Sequence, residues 1–202
     1  RLCIDNLYPR AINYRCSTMT TISLVQGDAL GGGFETALSS DIIIAEESAT
    51  FGLPEILFNL FPGMGALSFL SRKVGMAAAE KLVLSGELLK ARQLHEMGIV
   101  DVVAPDGQGE SVTQDWIRKN QRRKNGFQAV QQARKLVNPI TREELDKVVE
   151  LWVDAALSLD EKDIKMMHRL VRSQGKRMAA EQPRSSVEDL SRRVIERVAA
   201  CA

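Results

Sequence analysis

Two glutamates, Glu35 and Glu55, lie in apolar sequence twenty positions apart and are well suited to acid–base chemistry. Glu35 ends the stretch Ala-Leu-Gly-Gly-Gly-Phe-Glu at residues 29–35, and Glu55 ends Phe-Gly-Leu-Pro-Glu at residues 51–55. Apolar neighbours are expected to disfavour the ionised carboxylate by desolvation and so to raise its pKa. Two carboxyl groups in such surroundings suit general acid and general base catalysis.

The glycines at 31–33 lie between a predicted strand over residues 21–25 and a predicted helix over residues 34–40. Because glycine lacks a Cβ, the main chain here can approach a ligand closely, and the first N–H groups of the helix are free to hold an oxyanion. A tight turn without a chemical role is the alternative for the glycine run alone. A phosphate-binding loop is disfavoured because Phe34 and Glu35 stand where that loop needs Lys and Ser or Thr.

Strands and helices alternate around these residues and predict an α/β architecture. Residues 41–45 contain three consecutive isoleucines, which is typical of a strand covered on both faces. Two helical stretches that end near glycines follow. A helix over residues 91–97 then ends at Gly98, and residues 99–103 read as a closing strand.

The last part of the chain is predicted to be helical. Thr141 and Glu144 have the spacing of a capping box, in which each side chain accepts a hydrogen bond from the other residue's backbone N–H. An apolar stripe follows over residues 145–159, and a second over residues 164–171. Simple packing of both stripes on the core is the alternative to a functional role.

The composition describes one soluble globular domain, with 45% apolar and 26% charged residues and a net charge of +1. That charge argues against a general nucleic-acid-binding surface. Cys3, Cys16 and Cys201 are too widely separated to indicate disulfides or a metal cluster. Because no secretory segment or long apolar span is visible, we expect a cytoplasmic protein without membrane insertion.

Two further polar features carry no assigned chemistry. His95 lies in an amphipathic helix beside Leu94 and Met97, where a structural histidine is expected. The basic run at residues 118–124 is interpreted as a solvated helix face. An acidic carrier-protein surface or the phosphates of coenzyme A are alternative ligands for it.

The sequence resembles the crotonase superfamily, the enoyl-CoA hydratase and isomerase group. The residues that carry the resemblance are Val-Gln-Gly-Asp-Ala-Leu-Gly-Gly-Gly-Phe-Glu at 25–35, Asp-Ile-Ile-Ile-Ala at 41–45, Phe-Gly-Leu-Pro-Glu at 51–55 and Phe-Pro-Gly-Met-Gly at 61–65. More narrowly, residues 52–65 and Glu-Leu-Trp-Val-Asp at 150–154 are similar to bacterial synthases of diffusible signal factor, which make cis-2-unsaturated fatty acids for quorum sensing. The resemblance covers about residues 1–180.

The resemblance implies an α/β fold with a crotonase-like spiral core of ββα repeats and a C-terminal helical region. Residues 1–125 would be the C-terminal portion of that core, 126–180 a helical region for oligomerisation and the acyl pocket, and 181–202 a loosely ordered tail. Crotonase chains have further strands and helices ahead of this point. The resemblance therefore places the N-terminal part of the core, with a second oxyanion-hole donor, outside this numbering.

The resemblance also implies roles for individual residues. Glu55 would handle the proton at C2 of an acyl thioester, Glu35 the water or hydroxyl at C3, and the Gly32 N–H would hold the thioester oxygen. The further substrate-binding residues that it implies are Leu30, Gly31, Met64, Trp152 and Leu170. Trp152 as an ordinary core residue is the alternative, and neither a metal nor a redox cofactor is needed.

Three functions remain open on the sequence. The first is a synthase of a diffusible signal fatty acid, which dehydrates a 3-hydroxyacyl carrier protein to a cis-2-enoyl thioester and hydrolyses this to the free acid. The second is an ordinary enoyl-CoA hydratase or isomerase of fatty acid metabolism, and the third is a non-catalytic interaction protein. The expected partners are an acyl carrier protein or coenzyme A thioester, further copies in a homotrimer or hexamer, and a sensor histidine kinase.

Overall fold

The computed structural model describes residues 2–16 and 18–181, with residues 176–181 described by their backbone alone. The tail from residue 182 onward, including Cys201, lies outside the described residues. The predicted loose order of the tail is therefore left as a prediction.

The described residues belong to two compact units. The first ends at Ile164 and the second begins at Lys165, within the last helix. The predicted regions 1–125, 126–180 and 181–202 were defined by their expected roles and not by compactness. That division stays a prediction.

The described part of the chain contains six short strands and nine α-helices. The strands are β1 (Ile22–Val25), β2 (Ala29–Leu30), β3 (Ile42–Glu46), β4 (Thr50–Gly52), β5 (Leu88–Lys90) and β6 (Val102–Ala104). The helices are α1 (Leu2–Ala11), α2 (Gly32–Leu38), α3 (Ala66–Val74), α4 (Met76–Ser85), α5 (Ala91–Glu96), α6 (Gly109–Gln121), α7 (Lys124–Val137), α8 (Arg142–Leu157) and α9 (Glu161–Glu181). Two 3-10 turns lie at Asn13–Arg15 and Pro54–Phe58.

The first sheet has the order β1-β3-β6 with parallel neighbours, and its central strand β3 is buried along its whole length. Successive side chains of a strand point to opposite faces. Ile42 and Ile44 accordingly pack in a cluster with Trp116 of α6, whereas Ile43 and Ala45 belong to the main core. The predicted strand covered on both faces is confirmed.

The second sheet brings the glycine turn beside the segment that leads to Glu55. Strand β2 pairs parallel with β4, with Leu30 opposite Gly52, and β5 pairs antiparallel with β4. The Gly31 N–H donates to the Gly52 carbonyl at 2.9 Å. Gly31 has φ +53°, in the left-handed region that favours glycine, and α2 begins at Gly32, two residues earlier than predicted.

The predicted closing strand over residues 99–103 is wrong in its position, because the observed strand β6 begins three residues later. Ile99 and Val100 are fully buried, but their N–H groups donate to the Leu94 carbonyl at the end of α5 rather than to a neighbouring strand. The apolar run therefore predicts the burial of Ile99 and Val100 correctly. It predicts the acceptor of their N–H groups incorrectly, because that acceptor lies at the end of a helix and not in a strand.

The predicted capping box at the start of α8 forms on one side only. The Thr141 hydroxyl accepts a hydrogen bond from the Glu144 N–H at 3.1 Å, as expected. The Glu144 carboxylate instead accepts two hydrogen bonds from the Arg72 guanidinium, at 2.8 and 2.7 Å. Because Arg72 belongs to α3, this ion pair ties the first turn of α8 to α3.

Candidate active site

Helix α2 carries Glu35 into the protein interior, where its side chain is only 2% exposed. Its Oε1 atom accepts hydrogen bonds from the Met64 N–H at 2.7 Å and from the Ala66 N–H at 2.9 Å. These two donors belong to the loop 63–66, which leads into α3. The Glu35 carboxylate is therefore oriented by backbone groups that come 29 and 31 positions later in the chain.

The loop 63–66 needs glycine at its turn into α3. Gly65 has φ +111°, and a Cβ at this position would lie 2.7 Å from Leu145 Cδ2 and 2.9 Å from the Phe69 ring. Any larger residue would have to displace Leu145, which is fully buried. Close packing at Gly65 thus lets the neighbouring N–H groups of Met64 and Ala66 reach one carboxylate oxygen.

Three influences set the pKa of Glu35. Burial raises it most strongly, and the negative charge of Glu55 raises it further, whereas the backbone hydrogen bonds from residues 64–66 lower it. The balance raises the pKa of Glu35 to about 7. The side chain can therefore both take up and release a proton near neutral pH.

Glu55 lies on the 3-10 turn Pro54–Phe58, directly after β4. Burial raises its pKa as well, so the direction expected from the apolar sequence is confirmed for both carboxyl groups. Its Oε1 atom lies 2.6 Å from the position that a Cβ on Gly31 would take, and its Oε2 atom is buried without a hydrogen-bond partner in the described structure. A buried carboxylate oxygen without a partner is suited to hold a proton or to meet a polar ligand.

The glycine turn lies between the two glutamates. Gly31 contacts Glu55, and Gly32 is the first residue of the helix that carries Glu35. The Met64 sulfur lies 3.1 Å from the position that a Cβ on Gly32 would take. A thioester oxygen placed at the Gly32 N–H would therefore have both acids nearby, and the role of Gly32 as oxyanion donor stays a prediction.

The other predicted substrate-binding residues are placed differently. Leu30 lies beside Gly52, where its Cδ2 atom and that of Leu88 approach the glycine. Trp152, which is partly buried, lies against Gly63: a Cβ there would be 2.3 Å from two atoms of the indole. Leu170 belongs to α9 in the second compact unit, so its part in an acyl pocket stays a prediction.

His95 is exposed, and its Nδ1 atom lies 2.9 Å from the Val100 carbonyl oxygen, in agreement with a structural role. Within residues 2–16 and 18–175, the His, Cys, Asp and Glu side chains form no group suited to bind a metal ion. Among the same residues, no helix combines the length and apolar character needed to cross a bilayer.

The sequence reasoning missed the two backbone donors to Glu35. The family resemblance predicts a place for Met64 in the acyl pocket, and no pattern in the sequence singles out Ala66. The glycines around Met64 were a usable signal, because a Gly-x-Gly turn before a helix presents N–H groups without side chains in the way.

The comparison of sequences assigns the family. The model of the enoyl-CoA hydratase/isomerase family matches residues 5–186, and the chain belongs to that family. The chain is 48% identical over 84 residues to 2,3-dehydroadipyl-CoA hydratase of Escherichia coli, a match that covers 42% of this chain and 33% of the relative. It is 43% identical over 91 residues to short-chain-enoyl-CoA hydratase of Clostridioides difficile, covering 45% of this chain and 58% of the relative. The matches thus span about a third to somewhat over half of these relatives' length.

Solved structures agree on the fold. An enoyl-CoA hydratase from Mycobacterium avium subsp. paratuberculosis has a TM-score of 0.69 at 22% identity, over 84% of this chain and 69% of that one. A carnitinyl-CoA hydratase from Mycobacterium avium has a TM-score of 0.64 at 26% identity, over 77% of this chain and 61% of that one. The expected crotonase-like α/β fold with a helical C-terminal region is confirmed. These relatives are named as hydratases, which supports the broad family and gives no support to the narrower signal-synthase subgroup.

Proposed function

We propose that this chain carries the acid–base site of an enoyl-CoA hydratase, which adds water across the C2=C3 double bond of a 2-enoyl thioester and removes it in the reverse reaction. The observation that carries the proposal is the pair of glutamates with raised pKa values beside one glycine turn. The hydratase names of the two curated relatives support the same reading. Coenzyme A is the carrier that these names favour.

In the proposed hydration, the Glu35 carboxylate accepts a proton from water as the water oxygen bonds to C3. Electron density moves onto the thioester oxygen, which the Gly32 N–H stabilises, and Glu55 delivers its proton to C2. Glu35 ends the step protonated and Glu55 ionised, so no proton is gained or lost overall. Dehydration follows the same path in reverse.

The test is to replace each acid by its amide in the intact protein. We expect Glu35→Gln and Glu55→Gln each to lower kcat for hydration of a trans-2-enoyl-CoA by at least ~100-fold, the lower range for one general acid or base. Glu96→Gln, at an exposed glutamate on α5, is the matched control and should keep normal activity. Near-normal turnover of either active-site variant, with unchanged circular dichroism, would remove that residue from the mechanism.

A second candidate function is synthesis of a diffusible signal fatty acid from a 3-hydroxyacyl carrier protein, with release of the free cis-2-enoic acid. The placement of Met64 against Gly32 favours it, because a large apolar side chain beside the acid pair can enclose an acyl chain. Water would then attack the thioester carbonyl while its oxygen is held at Gly32.

Mass spectrometry of the products separates the two functions. The intact protein is incubated with 3-hydroxydodecanoyl carrier protein and, separately, with the coenzyme A thioester, and the products are compared with cis and trans standards. A signal synthase would release free cis-2-dodecenoic acid or a close homologue. A trans-2-enoyl thioester without free acid would leave the hydratase as the function.

A further inference from the structure

Helix α8 packs against the loop 63–66 at two points. Leu145 Cδ2 lies 2.7 Å from the position of a Cβ on Gly65, and two indole atoms of Trp152 lie 2.3 Å from the position of a Cβ on Gly63. Leu145 and Trp152 are seven residues apart, which places them on one face of the helix, two turns from each other. One face of α8 therefore covers both glycines that flank Met64.

The start of α8 is fixed to α3, the helix that begins at the end of this loop. Arg72 of α3 binds both carboxylate oxygens of Glu144, and its guanidinium also donates to the carbonyl oxygens of Ser68 and Pro139. This clamp joins the first turn of α8 to α3. Leu145, the residue after Glu144, lies at Gly65.

The loop in turn holds Glu35 through the Met64 and Ala66 N–H groups. Hydrogen bonds from backbone N–H groups to a carboxylate depend steeply on distance and angle. A shift of the loop by a few tenths of an ångström would therefore change the environment of Glu35, although no side chain of α8 takes part in these hydrogen bonds.

We propose that Leu145 and Trp152 are positioning residues, which hold the loop 63–66 from behind and so keep its N–H groups directed at the Glu35 carboxylate. They act through the loop rather than on the reacting atoms. The direct electrostatic neighbour of Glu35 is Glu55, on the turn after β4, whereas Arg72 and Glu144 neutralise each other at the junction of α3 and α8. Any effect on catalysis depends on the proposed acid–base role of Glu35. The orientation of the Glu35 carboxylate by the loop does not depend on that role.

The test is the titration of Glu35 in the intact protein, followed by carboxyl 13C NMR and assigned with Glu35→Gln. Leu145→Val removes the Cδ2 methyl group that lies against Gly65, and Leu145→Ala removes more of the side chain. Weaker N–H donation should raise the pKa of Glu35, by about 1 in Leu145→Ala and by less in Leu145→Val. Trp152→Leu, which removes the indole from Gly63, should also raise it.

Leu151→Ala is the matched control, because Leu151 neighbours Trp152 in α8 but is 63% exposed. It should leave the titration of Glu35 unchanged. The titration needs no substrate, so failure of the proposed hydratase function would show separately, as absent turnover in the unaltered protein. If Leu145→Val and Trp152→Leu both fold and titrate at Glu35 as the unaltered protein does, the positioning role is overturned.

Discussion

At the scale of single residues, the two glutamates must share one proton for the proposed reaction to run. Hydration starts with Glu35 ionised and Glu55 protonated, and dehydration starts with the opposite arrangement. Both are forms of a singly protonated pair, whose apparent pKa values belong to the two groups together. The raised pKa values of Glu35 and Glu55 favour this form at higher pH than two ordinary carboxyl groups would allow.

We therefore predict bell-shaped pH profiles of kcat/KM, with the alkaline limb falling above about pH 7, the value to which the pKa of Glu35 is raised. The profiles for hydration and dehydration should have the same shape. Adding water neither takes up nor releases a proton, so the equilibrium constant, which is the ratio of the two kcat/KM values, is independent of pH. Initial rates with an enoyl and a 3-hydroxyacyl thioester check this. A rate that stays flat up to pH 9 would contradict the shared-proton site.

The same pKa shift predicts how stability depends on pH. Between pH 4.5, the ordinary pKa, and about pH 7, folded Glu35 keeps a proton that the unfolded chain has lost. The free energy of unfolding should therefore fall as the pH rises through this window, by on the order of 3 kcal/mol for Glu35. Urea denaturation across the window should show this loss in the unaltered protein and a smaller loss in Glu35→Gln. Equal losses in both would mean that Glu35 titrates normally.

At the scale of elements, the clamp between α3 and α8 should be measurable by a double-mutant cycle of Arg72→Met and Glu144→Gln. The two side chains are 23% and 33% exposed and make a two-point contact, so we expect a coupling energy of about 1 kcal/mol. The exposed pair of Lys147 and Glu143 in α8 is the comparison and should couple by less than ~0.5 kcal/mol. Additive effects at Arg72 and Glu144 would show that α8 is held by apolar packing alone.

Elements with strong local signals could be predicted from the sequence. The isoleucines of β3, the glycines that end α3 and α4, and the threonine cap of α8 act through neighbouring residues, and each prediction is confirmed. The position of β6 was not predictable in this way, because Ile99 and Val100 are buried by contact with the end of α5. The glycines around Met64 indicate free N–H groups, but their acceptor was not predictable, because these groups reach Glu35 only through long-range packing.

At the scale of the whole molecule, the predicted homotrimer or hexamer remains to be tested. Helix α7 exposes Val130, Leu136 and Val137 by 68%, 83% and 85%, and apolar side chains exposed to this degree favour burial against another chain. We expect light scattering of the intact protein to give three or six times the chain mass, and Leu136→Glu to lower it. Lys119→Glu, at an exposed position of α6, is the control. A concentration-independent monomer would contradict the prediction.

The main chain and the side chain of Met64 make different contacts in the site. The Met64 N–H donates to Glu35, the proposed general base, whereas its thioether lies against Gly32, where the acyl group is expected. Nineteen of the twenty amino acids supply the same N–H, and only proline lacks it. Selection could therefore exchange this side chain to suit a new acyl group while the acid–base apparatus stays intact, so that substrate range can diverge here without passing through an inactive ancestor.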